Sequence, residues 1–460
     1  MIFLGLLISF FLGHGILRSV SRQNSSFPWE LTFALSVSVG LAASGLLTFF
    51  SLLLFGEFNR TFILLINAAA VIILTLSAPR ATFQIDTKNF SLKKYSFNFF
   101  LILLWLTLYL IIRELSRSHP YGQWDAWALW NMKTKFIIFG GRSWPNIFQL
   151  HWHTQPDYPL LLPMINSWLY AVSSAELHRI AMTTANVFTL STGILLFAAL
   201  KRTLPLLCAL GAGLVLVTNR FYLFMGTAQY ADIVLAHYFL AAGILTVYGL
   251  KERNTAMILL TGFFLGVLCF TKNEGITMAM ILPGILLLTF WTDKTYKSLK
   301  QPLTEKLLAG FALTVWAPLI FKIFLAPANR DISWDGLRML PQLLSLERIE
   351  MVLEYFLRSV FDNYWQYIWI FIFLIILLGF SRSRRAELKI FILFFAVYLL
   401  LVGIVYLTTM NFDLFWRLSR TAPRVLFCLM PAALFLSLYA VWRQEDDPLD
   451  VEKNNGIMAK

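Results

Sequence analysis

Long apolar runs recur along almost the whole chain, and they constrain its fold more than any other feature. A helix needs about 20 predominantly apolar residues to cross the thickness of the hydrocarbon core of a bilayer, and the segment is helical because its backbone polar groups must be bonded within it. Thirteen runs fit this pattern or come close to it. They cover residues 1–17, 31–55, 61–79, 97–113, 179–200, 204–219, 233–250, 255–270, 275–291, 307–325, 366–380, 390–409 and 425–442. The sequence therefore predicts an all-α polytopic membrane protein with about 13 transmembrane helices.

The distribution of charge predicts how these helices are oriented. Only 14% of the residues are charged, and the net charge is +13, whereas soluble domains carry about 25% charged residues. Basic clusters of this kind are typical of cytoplasmic loops beside anionic lipid, so we expect no nucleic-acid partner. An outside N-terminus places the basic connectors on the inside. They include residues 80–94, 201–202, 251–253, 294–306 and 382–389.

The first apolar segment and one internal stretch need separate interpretation. Residues 1–17 have no preceding basic residue and no small-x-small cleavage pattern, so we interpret them as a retained span and not as a signal peptide. The stretch Leu160–Val172 is short and contains Pro163. Counting it as a span would invert every later loop, so we interpret it as a helix that lies at the membrane interface or dips in and out.

Three regions follow from this topology. Residues 1–96 contain three transmembrane helices, residues 97–442 form a larger transmembrane module, and residues 443–460 form a cytoplasmic tail. The module has two sizeable outer loops, 114–178 and 326–365, and the first of these is expected to carry interfacial helices. The longer polar segments thus lie at one face of the membrane.

Polar, aromatic and charged residues are concentrated in the first outer loop. Asp125 lies between Trp124 and Trp127, where it could simply cap a helix beside an interfacial aromatic belt. Placing a carboxylate near lipid costs about 2.5–3.5 kcal/mol, and Ser or Asn could cap without charge, so a chemical role is the alternative. Asp157, in Gln-Pro-Asp-Tyr-Pro, either stabilises a turn or joins Asp125 in one outer cavity.

Other side chains in this loop have both a structural and a functional interpretation. Lys133 and Lys135 could extend towards the interface or hold a phosphate near the membrane surface. His151 and His153 form an H-x-H pair, but no third metal ligand is evident in the sequence. We therefore assign no metal residues and leave a divalent cation open as a cofactor.

Three further outer sites carry charge. Asp232 opens a predicted span, and Lys272–Glu274 forms a charged group between two apolar helices, which could be an ordinary Lys–Glu pair in a tight turn. Three arginines recur at i, i+3 and i+7, namely Arg417, Arg420 and Arg424. Such a face either clamps lipid headgroups or binds a phosphate or diphosphate.

The order of these motifs resembles the GT-C superfamily of membrane glycosyltransferases. The closest resemblance is to the bacterial branch related to protein O-mannosyltransferases and the lipid A aminoarabinose transferase. The features that carry it are Trp-Asp-Ala-Trp at 124–127, Pro-Asp-Tyr-Pro-Leu-Leu-Leu-Pro at 156–163, Tyr-Ala-Asp at 230–232 and Lys-Asn-Glu at 272–274. The resemblance extends from about Asn98 to Pro431.

The resemblance implies a GT-C-like catalytic module over residues 97–442. It implies transfer of a sugar, with inversion, from a polyprenyl-phosphate-linked donor to an acceptor hydroxyl. The site would lie on the periplasmic, or extracytoplasmic, face of the inner membrane. The acid of the family's first loop maps onto Asp125 and that of its second loop onto Asp232, and Asp157 fits a second first-loop position. The acceptor, whether glycan, lipid or protein, is not specified.

The chemistry of such a transfer assigns roles to the candidate residues. A sugar on a polyprenyl phosphate has a good leaving group, so a base for the acceptor hydroxyl and cations for the departing phosphate are required. Asp125 is the predicted base, with Asp157 and Asp232 as further catalytic residues. The predicted phosphate ligands are Lys133, Lys272, Arg420 and Arg424. The predicted sugar or acceptor contacts are Trp124, Trp127, Tyr158 and Glu274.

Two alternative functions remain compatible with the sequence. A polymerase or ligase of lipid-linked polysaccharide would use the same face, but we expect it to centre on Arg and His in a late, large outer loop. Loop 326–365 is modest and contains no histidine. A transporter or lipid flippase would bury charges in mid-span and show matching broken helices in two halves.

Overall fold

The computed structural model describes residues 1–21, 28–77, 92–150, 154–329, 340–378, 385–408 and 413–442, and these are helical with no strand assigned. The first nine helices are α1 Ile2–Val20, α2 Trp29–Phe55, α3 Arg60–Ser77, α4 Leu92–Arg117, α5 Asn131–Phe139, α6 Leu161–Ser173, α7 Leu177–Leu200, α8 Leu206–Thr218 and α9 Arg220–Thr227. The remaining nine are α10 Ala231–Lys251, α11 Thr255–Thr271, α12 Asn273–Thr292, α13 Lys300–Ile320, α14 Leu340–Leu343, α15 Leu346–Phe361, α16 Ile368–Leu377, α17 Arg385–Leu407 and α18 Leu414–Val441.

The helices confirm a polytopic, all-α membrane protein. Ten helices in the described ranges are long and apolar enough to cross a bilayer, and α8 with α9, bent by 61°, would make an eleventh. Each of the thirteen predicted runs coincides with a helix, but α11 and α16 are short. The count of 13 therefore remains a prediction.

Ionic contacts show which connectors share an end of the bundle. Lys201 pairs with Glu30, and Arg202 Nη2 donates to Glu252 Oε1 at 2.6 Å. Lys201, Arg202 and Glu252 lie in two connectors that the charge pattern assigned to the inside, and Glu30 lies in the first turn of α2. At other connectors, assigned to the outside, Arg60 Nε donates to the carbonyl oxygen of Ala171 at 2.8 Å. The grouping of these connectors thus agrees with the predicted topology.

Helix α10 lies at the centre of the core, and every residue from Ala231 to Leu250 is buried. Around it, small residues allow helices to approach closely, as is common between membrane helices. A Cβ at Gly310 of α13 would lie 1.8 Å from the carbonyl oxygen of Leu259, and one at Gly262 of α11 would lie 2.1 Å from that of Leu307. Helices α11 and α13 are therefore packed backbone against backbone.

The N-terminal helices pack directly on the rest of the bundle. His237 of α10 is fully buried, with its Nε2 atom 2.7 Å from Ser38 Oγ of α2 and its Nδ1 atom 2.9 Å from Thr192 Oγ1 of α7. Trp168 Nε1 of α6 donates to Ser9 Oγ of α1 at 2.9 Å. Residues on both sides of position 96 consequently share one core.

The stretch Leu160–Val172 differs from its expected environment. It forms α6, but all of α6 except Tyr170 and Ser173 is buried, and it packs against α1, α2, α5 and α7. Most of α6 therefore contacts protein, and its position at the membrane interface, or as a segment that dips in and out, stays a prediction. Its apolar residues serve packing within the protein, where periodicity alone cannot distinguish protein from lipid as the apolar partner.

Helix α15 is the amphipathic element of loop 326–365, of which residues 330–339 lie outside the described ranges. Its exposed apolar face carries Leu346, Leu353, Leu357 and Phe361. The opposite face packs on α17 and α18, with Val352 buried. Helix α15 thus packs on the bundle with one face and leaves an apolar face exposed.

Candidate functional site

Charged residues from four separate segments meet at the end of the bundle that the topology assigned to the outside. The segments are the residues before α5, the start of α10, the α11–α12 connection and α18. Five side chains form a continuous network there, which we call the acid–base network. They are Asp125, Asp232, Lys272, Glu274 and Arg424.

Arg424 is the centre of the acid–base network. Its Nε and Nη2 atoms donate to Oδ1 and Oδ2 of Asp232 at 3.1 and 2.7 Å, and its Nη1 atom donates to Asp125 Oδ2 at 2.6 Å. The guanidinium also lies 4.8 Å from the ring centroid of Tyr230. One arginine thus holds two carboxylates that are more than 100 residues apart in the chain.

Lys272 is the second cation of the network. Its Nζ atom donates to Asp232 Oδ1 at 3.0 Å and lies 2.8 Å from Glu274 Oε1. Burial alone would lower the pKa of this ammonium, but the two carboxylates outweigh burial and hold the pKa of Lys272 above its ordinary value. The network therefore keeps Lys272 charged.

Helix starts explain why the acids lie at these positions. Asp232 is in the first turn of α10, and Glu274 is in the first turn of α12. An acid in the first turn is stabilised by the partial positive charge of the helix N-terminus. Asp232 is fully buried, whereas Asp125 is 23% exposed. Of these two, Asp125 is therefore the carboxylate that a ligand can reach.

The turn before α10 fixes Asp125. The backbone N–H of Asp125 donates to Tyr230 Oη at 3.3 Å, and that of Gln123 donates to the carbonyl oxygen of Ala228 at 3.1 Å. Burial and the charge of Asp125 raise the pKa of Tyr230 to about 12. Gly122 has a φ of +74°, and a Cβ there would lie 2.6 Å from the Ala228 carbonyl oxygen. Only glycine meets both demands without strain.

Asp157 belongs to an adjacent polar cluster. Its Oδ2 atom accepts from Asn273 Nδ2 at 2.7 Å and from Asn329 Nδ2 at 2.8 Å. Lys322 Nζ donates to the Asp157 carbonyl oxygen and to Asn273 Oδ1, both at 2.7 Å. Because Asn273 lies between Lys272 and Glu274 in the chain, this cluster is joined to the acid–base network. Asp157 therefore lies in a cluster that adjoins the acid–base network through Asn273.

Two π-helical segments flank the site. One, Ala126–Trp130, begins directly after Asp125, and the other, Phe321–Leu325, contains Lys322. Segments of this kind are rare and occur frequently at functional sites. Their positions give a second indication, independent of charge, that this end of the bundle carries the function.

The structure changes the role of Lys133. Its side chain is fully buried, and its Nζ atom donates to the carbonyl oxygens of Gln155 and Tyr158 at 2.7 and 3.0 Å. Burial lowers the pKa of Lys133 to about 7. A side chain enclosed in this way is not available to a donor phosphate, so the predicted phosphate role is wrong and Lys133 stabilises the turn around Asp157.

The predicted aromatic contacts and Arg420 lie in different surroundings. Trp124 and Trp127 are 59% and 50% exposed, and their rings meet edge to face at 4.4 Å. Tyr158 is half-buried, with its ring centroid 5.9 Å from Lys272 Nζ. Arg420 is exposed on α18, one helical turn before Arg424. The tryptophans thus lie on the accessible side and Tyr158 on the enclosed side.

Sequence reasoning missed Lys322 and Asn329. Lys322 lies in the run 307–325, which we predicted as a span, and a lysine inside an apolar span is itself a signal of function or of a buried partner. Asn329 carries no comparable signal, because an uncharged polar residue after a helix is ordinary. Its role became visible only from its contact with Asp157.

The acid–base network does not fit a divalent cation. Both carboxylate oxygens of Asp232 are taken by Arg424 and Lys272, so these cations stand where a metal would be needed. In the described part of the chain, no group of three or more His, Cys, Asp and Glu residues is arranged to hold a metal ion. His151 and His153 lie outside the described residues.

Comparisons of the chain with protein-family models, with curated proteins and with solved structures find no significant match.

Proposed function

We propose that the chain is a glycosyltransferase of the GT-C type, acting on the periplasmic face of the inner membrane. It would move a sugar from a polyprenyl-phosphate-linked donor to an acceptor hydroxyl, with inversion. The observation that supports this most directly is the pairing of an accessible carboxylate, Asp125, with a cation that a buried carboxylate, Asp232, holds in place. A base beside a fixed cation is what this transfer requires.

Asp125 acts as the general base in this proposal. The acceptor oxygen attacks C1 of the sugar as its proton passes to the Asp125 carboxylate. The bond between C1 and the phosphate oxygen breaks, and the polyprenyl phosphate leaves with the electron pair. Arg424 donates to Asp125 Oδ2 and so fixes the orientation of the carboxylate that accepts the proton.

Arg424 and Arg420 are the proposed phosphate ligands. Asp125 and Asp232 take three of the five N–H donors of Arg424, and its side chain is 19% exposed, so donors remain for an anion. Arg420 adds a positive charge towards the outer end of α18. Lys272 is only 4% exposed, so we propose that it and Asp232 position Arg424 and leave direct phosphate contact to the arginines.

The exposure of the aromatic and acidic side chains indicates how each of them would contact the substrates. Trp124 and Trp127 adjoin Asp125 and expose ring surface that can stack on a sugar, while Tyr158 and Glu274 lie beside Lys272 on the enclosed side. The prenyl chain of the donor would lie against the apolar outer surface of the helices, among membrane lipids. The acceptor can be a glycan, a lipid or a protein.

The test compares surface glycans from cells that lack the protein with those that produce wild type, Asp125→Asn or Asp362→Asn. Asp362 is an exposed acid that caps a short helix, a role that Asn also fills. We expect Asp125→Asn to reduce transfer at least about 100-fold, the lower range for loss of a general base. Mass spectrometry of the glycans should show normal transfer for Asp362→Asn. Near-normal transfer by correctly folded Asp125→Asn would refute the assignment of the base.

A transporter or lipid flippase is the second candidate, favoured by one observation. Arg424 lies about 15 Å along α18 from Leu414, and it contacts a fully buried carboxylate. Buried charges between membrane helices also mark substrate or ion pathways in transporters. Purified protein in liposomes distinguishes the two functions. Movement of a lipid-linked sugar across the bilayer with no new glycosidic bond would favour transport.

A further inference from the structure

Helix α15 presents three different faces around its axis, because successive residues are rotated by about 100°. The first is a packed face, which holds the buried residues Val352 and Ser359. Next to it is an apolar face, which consists of Leu346, Ile349, Leu353, Leu357 and Phe361. Beyond that is a charged face, which consists of the exposed residues Glu347, Glu350, Glu354 and Arg358. The apolar face thus lies between a face that contacts protein and a face that is charged.

The apolar face is open although its side chains are large. Leu346, Leu353, Leu357 and Phe361 are between 59% and 81% exposed. A contiguous exposed apolar surface marks a site of contact with lipid, with a ligand or with another chain. The position of α15 relative to the spans decides among these partners.

The packed face places α15 across the end of α17 that lies on the side of the acid–base network. Arg348 Nε and Nη2 donate to the carbonyl oxygens of Leu407 and Tyr406 in the last turn of α17, at 3.1 and 3.3 Å. The ring of Phe356 meets the ring of Tyr406 edge to face, with centroids 6.0 Å apart. Arg348 and Phe356 lie about 12 Å apart along α15, yet both contact Tyr406. Helix α15 therefore crosses the end of α17 instead of running alongside it.

The lengths of the spans show the depth at which α15 lies. Helix α18 has 28 residues and is about 42 Å long, whereas the hydrocarbon core is about 30 Å thick. Val352 packs with Leu414, Leu418 and Ala422, which lie in the first 12 Å or so of α18. Trp416, half exposed in the same part of α18, is of a type enriched at the membrane–water interface. Helix α15 thus lies at the level where α18 leaves the hydrocarbon.

We propose that the apolar face of α15 is buried among the lipid acyl chains at the surface of the membrane, with the charged face in the headgroup layer. Amphipathic helices bind membranes in this orientation. The order of the faces fits, since the packed face meets protein, the apolar face meets lipid and the charged face meets water. Lipid contact by α15 would also set the depth of α18, which carries Arg420 and Arg424. The inference does not depend on the proposed glycosyl transfer.

Lipid fits the apolar face better than a second copy of the chain does. Helix α16, which α15 contacts, exposes Phe371, Phe373 and Leu374, so the apolar face adjoins a helix whose own apolar surface requires lipid. A stable interface between proteins uses about 20–30 residues a side, and the apolar face has five. The charged face has three acids and one arginine, so apolar burial, and not attraction to anionic lipid, would drive the contact.

The experiment uses the full chain in phosphatidylcholine liposomes, with one nitroxide label at a time. The labels are attached to Leu353→Cys, Leu357→Cys or Glu354→Cys. The background carries Cys208→Ser, because Cys208 is exposed and the other two cysteines are buried. Power-saturation EPR compares collisions of each label with oxygen, which concentrates in hydrocarbon, and with a water-soluble nickel chelate. Leu400→Cys, on the exposed surface of α17, gives the reference for lipid.

For Leu353→Cys and Leu357→Cys we expect an oxygen-to-nickel collision ratio near that of Leu400→Cys. It should be several-fold above the ratio of Glu354→Cys, which lies next to Leu353 in the chain but on the charged face. Leu353 and Leu357 are both exposed, so each label serves as a check on the other if one variant folds poorly.

Two results would overturn the inference. One is a collision ratio at Leu353→Cys and Leu357→Cys as low as that at Glu354→Cys, since the apolar face would then lie in water. The other is dipolar broadening of the spectra that disappears when labelled protein is mixed with excess unlabelled protein, since a second copy would then cover the face. Neither measurement involves sugar transfer, so loss of the proposed function leaves the contact with lipid standing.

Discussion

Replacing Asp232 with asparagine tests whether this buried carboxylate contributes most of the stability of the acid–base network. Asp232 is fully buried and accepts three hydrogen bonds from the two cations of the network, two from Arg424 and one from Lys272. Asparagine keeps the shape but removes the negative charge, and its amide group presents a donor to two cations. In this variant Asp125 is the remaining carboxylate partner of Arg424, and Glu274 is that of Lys272.

The magnitude follows from burial. Breaking a buried ion pair by removing one partner destabilises a protein by about 3–5 kcal/mol, and Asp232 serves two cations. Asp125 accepts one hydrogen bond from Arg424 and is partly exposed. After allowance for solvent screening, its loss should lower stability by about 1 kcal/mol or less. The free energy of unfolding should therefore fall by about 3 kcal/mol more for Asp232→Asn than for Asp125→Asn.

The assay is unfolding of the purified full chain in mixed micelles with an increasing fraction of SDS, followed by tryptophan fluorescence. The double variant Asp232→Asn/Arg424→Gln should be less destabilised than the sum of its single variants, because it removes the cation left without its buried partner. If Asp232→Asn and Asp125→Asn lower the free energy of unfolding equally, or if the double variant is additive, the network does not depend on Asp232.

Two further substitutions test packing and the buried lysine. Gly310→Ala should lower the apparent melting temperature, because its Cβ would clash with the Leu259 carbonyl oxygen. Such overpacking lowers the free energy of unfolding by about 1–3 kcal/mol. The control Gly403→Ala, with nothing within 4 Å of the added Cβ, should be tolerated. In the folded protein, burial lowers the pKa of Lys133 to about 7, whereas in the unfolded chain it is about 10.4. Between these two pH values the unfolded state binds more protons than the folded state. The free energy of unfolding therefore rises with pH above about 7. Lys133→Met should lower the free energy of unfolding and should remove its rise between pH 7 and 9. Lys135→Met, at an exposed site, should keep that rise. Equal pH slopes in the two variants would contradict the role of Lys133 as the group that titrates.

The gathering of acids and cations at one end of the bundle could be predicted because it depends on topology. Apolar length located the helices, and alternation of basic connectors grouped the remaining polar segments on one face. Asp125, Asp232, Lys272 and Arg424 were singled out since charge is unfavourable near lipid unless it is partnered. The structure places all four in one chain of ion pairs, from Asp125 through Arg424 and Asp232 to Lys272.

The partners of individual side chains could not be predicted in the same way. A lysine in a polar loop can reach lipid, bind phosphate or fix a turn, and only the carbonyl oxygens around Lys133 distinguish these roles. The apolar residues of α6 fit lipid and protein equally well, and only packing against α1, α2 and α7 decided between them.

The sequence by itself determined that the protein is a bundle of membrane helices and which connectors share a face, because both follow from the one-dimensional pattern of hydrophobicity and charge. Tertiary structure alone decided that Arg424 joins Asp125 to Asp232, that Lys322 serves Asp157, and that Lys133 is enclosed. Such pairings join residues far apart in the chain, and their electrostatic energy depends on distances and burial that no local pattern encodes.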